Sequence, residues 1–195
     1  MKKINIIIII LSTICYFNYV NANESFEDWK VKFKNYAQIQ GVSSTTLNRL
    51  IDNSRFLPEV IKYDRYQPEF YEDTKTYISK RASNKKLKIG NNIFINNIKK
   101  LNLISMNYNV DKSLLLSLMG IETNFGTYLG KMDIVSSLAT LSFDKRRSEF
   151  FTSELITLLK LVDNNVVDSK TLYGSWAGAF GNFQFMPSTI KDYAI

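Results

Sequence analysis

Gly120-Ile121-Glu122-Thr123-Asn124-Phe125-Gly126 closes an apolar run that begins after Asp111, and the fold is read outward from it. Within the run Leu114, Leu118 and Glu122 are four apart, as are Leu115 and Met119, so a helix stacks the carboxylate over two leucines. On a buried face Glu122 would be an acid withdrawn from water, where the ionised form is disfavoured. The partial negative charge of the helix C-terminus acts in the same direction. A carboxyl that keeps its proton near neutral pH can serve as a general acid. The same spacing also fits a helix-end glutamate turned to solvent.

Composition narrows the chemistry. The 195 residues suffice for one domain with a real core, or one with a small appendage. There is no histidine, which removes Ser-His-Asp and Cys-His catalysis and histidine-bound metals. The single cysteine, Cys15, lies in a segment expected to be removed, so disulfides and thiolate sites go as well. Acid-base work must come from carboxylates, Tyr or Lys. No cofactor is expected.

The amino end reads as an export signal. Lys2 and Lys3 precede the apolar run Ile4 to Tyr19, and Val20-Asn21-Ala22 has the small-residue form of a cleavage site. An uncleaved segment would be the one membrane attachment, although the run is short for a spanning helix. Ile14 before Cys15 argues against lipidation. The formal charge of +7 falls to about +5 without the two leading lysines, still basic and suited to an anionic polymer. The pairs Lys80-Arg81, Lys85-Lys86 and Lys99-Lys100 read as solvated helix faces, and no nucleic-acid motif accompanies them, so nucleic acid is not an expected partner.

Ser25 can cap a helix carrying Phe26, Trp29, Phe33, Tyr36 and Ala37 on one side, with Gly41 past its end. Ser43 or Ser44 opens a shorter helix through Leu47, Leu50 and Ile51. The pattern breaks around Pro58 and Pro68, so Tyr63 to Phe70 reads as irregular, and Tyr71 to Lys80 as a weak helix. From Asn84 to Tyr108, Leu87, Phe94, Ile98, Leu101, Ile104 and Tyr108 predict one long amphipathic helix. Asp111 caps the helix bearing Glu122, Asp133 can cap Ile134 to Leu141, and Arg146 to Val162 forms another helix. No alternating strand pattern or internal repeat appears, so the fold class is mainly α. Six of the eight glycines (120, 126, 130, 174, 178, 181) lie between the Glu122 helix and Gly181. Either the backbone bends around something near Glu122, or helices pack closely there.

Ordered motifs then carry a resemblance. Met119 to Gly126 is followed by Gly130-Lys131, Ser137-Leu138-Ala139-Thr140-Leu141, Arg146-Arg147, Phe150-Phe151 and Glu154-Leu155. Gly174-Ser175-Trp176-Ala177-Gly178-Ala179-Phe180-Gly181 and Gln184-Phe185-Met186-Pro187-Ser188 complete the series, with Asp64-Arg65-Tyr66-Gln67-Pro68-Glu69-Phe70 upstream. The chain resembles the membrane-bound lytic murein transglycosylase B family, a lysozyme-like group acting on peptidoglycan. After the signal peptide read at 1–22, the resemblance implies an N-terminal helical region at 23–83 and an incomplete lysozyme-like catalytic core at 84–195.

It also implies that Glu122 is the single catalytic acid/base, cleaving between N-acetylmuramic acid and N-acetylglucosamine. Closure of the muramyl 6-hydroxyl onto C1 then gives a 1,6-anhydro end without water. A usual hydrolase needs two carboxyls flanking the bond, whereas intramolecular attack brings its own nucleophile. Asp133 and Glu149 are the nearest second acids, and they read as a helix cap and a polar helix face. Ser175 and Gln184 match cleft positions that can hydrogen-bond sugars. Phe125, Tyr128, Trp176, Phe183 and Phe185 offer apolar faces, of which one or two are expected to touch glycan.

The implied partners are peptidoglycan strands, with cell-wall synthesis proteins as further candidates, and the implied place is the periplasm. Phe180 departs from the family's usual methionine. Beyond Ile195 the family continues with an Asp/Gly-rich calcium loop and more helices, so no calcium site is expected here, and apolar surface is left uncovered. Two other readings stand beside the enzyme: a non-catalytic remnant that binds wall glycan or a wall-synthesis partner, and a water-using muramidase.

Overall fold

The computed structural model describes residues 24–67 and 72–194. The signal-segment reading, and Pro68 to Phe70 of the upstream motif, lie outside the described residues. Among these residues the regular structure is helical apart from two-residue strands, β1 (Met132–Asp133) and β2 (Tyr173–Gly174), which pair antiparallel.

Helix α1 (Phe26–Ile39) starts at Ser25, whose Oγ accepts the Asp28 N–H at 3.1 Å, and ends before Gly41. It buries Phe33 and Ala37, while Tyr36 turns outward. Ser43 caps α2 (Ser44–Thr46), which runs on as a π-helical turn, Leu47–Ile51. The Ser43 backbone N–H and hydroxyl both donate to the Asp163 carboxylate at 2.7 Å, pinning this cap to a distant helix end.

Two expectations need correction. Pro58 does not break the pattern but begins α3 (Pro58–Arg65), because the first helical turn has no use for the N–H that proline lacks. The long helix expected over 84–108 is two, α5 (Asn84–Asn96) and α6 (Ile98–Tyr108), the short α4 (Thr74–Arg81) preceding them. Asn97 makes the break: its backbone N–H and its Nδ2 both donate to the Ile93 carbonyl, leaving φ at −117°. An asparagine side chain that competes for local backbone partners interrupts a helix the apolar spacing would continue.

Asp111 caps α7 (Lys112–Thr123), accepting the Ser113 and Leu114 N–H groups at 2.8 Å. Asp133 caps α8 (Ile134–Phe143) through the Val135 and Ser136 N–H groups. Every residue from Ile134 to Ser142 is buried, so α8 is the central rod, surrounded on all sides. Against it lie Phe33, Leu47, Ile51 and Val60 from one side, and Phe151, Leu155 and Leu158 of α9 (Ser148–Asp163) from the other. The Ser136 and Thr140 hydroxyls on α8 accept the Arg55 and Leu57 N–H groups, satisfying an extended stretch that crosses the rod. Helices α4 to α7 contribute no residue to this cluster; α5 and α6 pack on α7 instead.

Two buried acids tie the pieces. Asp64, at the end of α3, pairs with Arg146 Nε at 2.8 Å and with Arg147, while its carbonyl accepts from the Arg146 guanidinium at 3.0 Å. Glu154 on α9 accepts the backbone N–H and the hydroxyl of Ser188, at 2.9 and 2.6 Å, in the first turn of α10 (Pro187–Tyr193).

The two-residue ladder depends on Gly130, which has φ +92° and presses against Gly174 so closely that a Cβ would lie 2.1 Å from the Gly174 carbonyl oxygen. Left-handed strain and backbone overlap together should cost Gly130→Ala about 2–4 kcal/mol. Thermal unfolding followed by circular dichroism should show Tm lowered by roughly 5–15 °C. An unchanged Tm would contradict the close approach.

Candidate active site

Glu122 stands in the last turn of α7, and of the two placements its spacing allowed the structure has the solvent-facing one: the side chain is exposed and not on a buried face. The stack of Leu114, Leu118 and Glu122 is present, but the leucines are 55% and 42% exposed, so this is the open face of the helix. Helix α7 buries its other side, through Leu116, Gly120 and Thr123. The run is apolar almost all round, so its period did not reveal which face turns inward. Among the described residues no side chain pairs with the Glu122 carboxylate.

The chain leaves α7 through three consecutive left-handed residues, Asn124, Phe125 and Gly126, with φ of 50°, 60° and 78°. That conformation is ordinary for glycine, tolerable for asparagine and strained for phenylalanine. The Phe125 ring compensates by packing into a cradle made by two glycines: a Cβ on Gly120 would lie 2.7 Å from it, and one on Gly90 3.1 Å. Gly120 is about 200° around the helix from Glu122. Phe125 therefore faces a half-open apolar pocket of about 230 Å³ on the α5 side, with Leu87, Phe94, Leu116 and Ile121. The sequence grouped Phe125 with the sugar-facing aromatics; in the structure its ring packs on Gly120 and Gly90.

The other expected residues gather in neighbouring loops. The Tyr128 N–H donates to the Thr123 carbonyl at 3.0 Å, and its ring is 60% exposed beside the end of α7. Gln184, at φ +47°, donates from Nε2 to the Leu129 and Gly181 carbonyls, so its Oε1 remains to accept. Ser175 follows Gly174, which presses on Gly130; its Oγ accepts the Ala179 N–H at 3.0 Å and keeps its own proton to donate. Trp176 is half-buried against the main core, and Phe183 stacks on Phe185 at 5.9 Å. The Thr123–Asn182 and Gln184–Leu129 bonds join the end of α7 and the Tyr128 loop to the loop bearing Gln184.

Asp133 is engaged as the α8 cap, and Glu149 is exposed on α9. Among the described residues no group of three or more His, Cys, Asp or Glu could hold a metal ion. Sequence reasoning passed over Thr123, whose hydroxyl donates to the Asn182 carbonyl at 2.8 Å and accepts the Gly126 N–H at 3.0 Å. The available signal was a hydroxyl residue between the helix-end acid and Asn-Phe-Gly.

The model of the Transglycosylase SLT domain matches residues 25–195. The chain belongs to this family. Its relatives include the membrane-bound lytic murein transglycosylase B of Escherichia coli K12, 44% identical over 89 residues, which cover 45% of this chain and 25% of that protein. SltB3 of Pseudomonas aeruginosa, solved in complex with NAG-NAM-pentapeptide, superposes with a TM-score of 0.83 at 31% identity, over 88% of this chain and 46% of that one. Escherichia coli Slt35 in complex with bulgecin A superposes with a TM-score of 0.74 at 29% identity, over 91% of this chain and 56% of that one. This member of the transglycosylase family therefore spans about a quarter to a half of these relatives' lengths. Its helical, lysozyme-like fold is theirs.

Proposed function

We propose that the chain is, or forms the amino-terminal part of, an exported peptidoglycan lytic transglycosylase in which Glu122 is the single acid/base. The observation that carries the reading is an unpaired carboxylate at the exposed end of α7, hydrogen-bonded through the next residue to the loop bearing Gln184. Family membership, and the NAG-NAM-pentapeptide bound by SltB3, support it.

In this reading a glycan strand lies along the open face of α7. Leu114 and Leu118 offer apolar surface to a sugar ring, and Tyr128 offers a second. Such a ring strips water from the carboxylate beside it and strengthens the bond from the Glu122 proton to the oxygen joining muramic acid to glucosamine. As the bond from C1 to that oxygen breaks, the proton passes to the departing glucosamine hydroxyl. The muramyl 6-hydroxyl attacks C1, its proton returns to Glu122, and a 1,6-anhydro ring closes. Gln184 Oε1 and the Ser175 hydroxyl hold sugar hydroxyls or an N-acetyl group. With Asp133 engaged as a cap and Glu149 out on α9, a nucleophile carried by the substrate fits the residues present better than a water placed by a second acid.

The same reading puts the protein in the cell envelope, where its substrate is. No helix of the described residues is long and apolar enough to cross a membrane. The reading takes 1–22 as the exporting segment on its charge and apolar run alone.

One observation favours a second reading. The openness of the Glu122 face suits a surface that binds wall glycan without cutting it. Incubating the chain with purified peptidoglycan separates the two. Soluble muropeptides with anhydro ends are the expected result, retention in the wall pellet with nothing released would indicate the binder, and reducing ends would indicate a hydrolase.

A further inference from the structure

We infer that Thr123 is the positioning residue for Glu122, its hydroxyl locking the end of α7 onto the glycine-rich arm that carries Gln184. The inference rests on the reading of Glu122 as the acid/base and goes beyond it.

Thr123 is the last residue of α7 and is 1% exposed, so its hydroxyl is cut off from water. Its Oγ1 has one proton and two carbonyls in range, Asn182 at 2.8 Å and Met119 at 3.1 Å. Met119 already receives the Phe125 N–H at 3.0 Å, whereas Asn182 lies across the gap between two parts of the fold. The proton therefore belongs to the Asn182 bond. The oxygen lone pairs take the Gly126 N–H at 3.0 Å, closing the left-handed turn in which Phe125 is strained. The Thr123 carbonyl takes the Tyr128 N–H. One residue thus fixes the turn, the Tyr128 backbone and the arm at Asn182.

This matters because α4 to α7 share no buried cluster with the α8 core. Among the described residues, Thr123 is the one α7 side chain hydrogen-bonded to the 174–186 arm. Beyond the helix, the Gln184 bond to the Leu129 carbonyl and the Gly130–Gly174 contact also join the arm, but the link nearest Glu122 is its immediate neighbour. Without the hydroxyl, the Asn182 carbonyl and the Gly126 N–H both lose a buried partner, and the acid drifts from the sugar bridge. A displacement near 1 Å costs on the order of 100-fold in rate.

The test compares Thr123→Val, which keeps the shape, with Thr123→Ser, which keeps the hydroxyl, and with Thr123→Cys, a weak donor of similar size. Glycan release by Val should fall about 10–100-fold, mostly in kcat, while pelleting with wall is retained and Ser recovers to within about threefold. Cys should fall between Ser and Val, and it carries the comparison if Val loses its cooperative thermal transition. Undiminished turnover in Val, a Ser variant as slow as Val, or a loss confined to KM would each overturn the inference. Amide exchange gives a readout that does not need turnover: Gly126 and residues 181–185 should exchange at least about 10-fold faster in Val and not in Ser. If the parent chain releases no glycan, the reading of this chain as an enzyme by itself fails, and exchange still decides the role of Thr123; unaltered protection in Val would overturn it.

Discussion

Glu122→Gln should lower the release of soluble muropeptides by about 1,000-fold while leaving association with the wall within a few-fold of the parent chain. Glutamine keeps the size and one carbonyl oxygen but can neither give up nor collect a proton in the cleavage step. The effect should fall on kcat, because an interaction made only as the bond breaks contributes nothing to ground-state binding. Few side effects on stability are expected, since Glu122 is exposed and no described side chain depends on it. Equal thermal midpoints would show that a lost activity is chemical. A variant that still cleaves at the parent rate would take Glu122 out of the reaction.

The second large effect is structural. Asp64 has 1% of its side-chain surface exposed and faces Arg146 and Arg147, which keep 45% and 39% of theirs. Removing the acid in Asp64→Ala strands two guanidinium groups, but both can turn toward water, so the cost sits at the lower end for a broken buried pair, about 3 kcal/mol. In a chain of this size that lowers Tm by roughly 6–12 °C. Arg147 also lies 4.8 Å over the Phe151 ring, at the start of the helix that packs on the central rod. The disturbance should therefore spread into α9, visible as loss of amide protection near Phe151. An Asp64→Ala protein melting with the parent would show that the pair adds nothing to the fold.

What could be read from the sequence follows the strength of local signals. Ser25, Asp111 and Asp133 each announce a helix start, because a short side chain accepting backbone N–H groups needs only sequence-adjacent partners. Asn97 was illegible for the complementary reason: the apolar period continues across it, and only the local competition for the Ile93 carbonyl breaks the helix. Burial of Glu122 could not be decided from α7 alone, since a helix apolar on nearly every side offers no inward face until α5 and α6 pack against one. That Gln184 belongs with the acid was implied only by likeness to a family. The links that tie its loop to the end of α7, the Thr123 bond to Asn182 and the Gln184 bond to Leu129, span more than fifty residues and are written in no local pattern. Phe125 was illegible in another way: nothing local announces the left-handed turn that swings its ring onto Gly120 and Gly90.

The central claim is that one carboxyl cuts the glycan while the substrate supplies the nucleophile, and the most direct measurement follows the oxygen. Peptidoglycan digested by the chain in water enriched in heavy oxygen should yield muramyl ends carrying none of the label, each lighter by one water than a reducing end. Labelled reducing ends would mean that water attacked C1, and the account of Glu122 as a lone acid/base working on an internal nucleophile would be wrong.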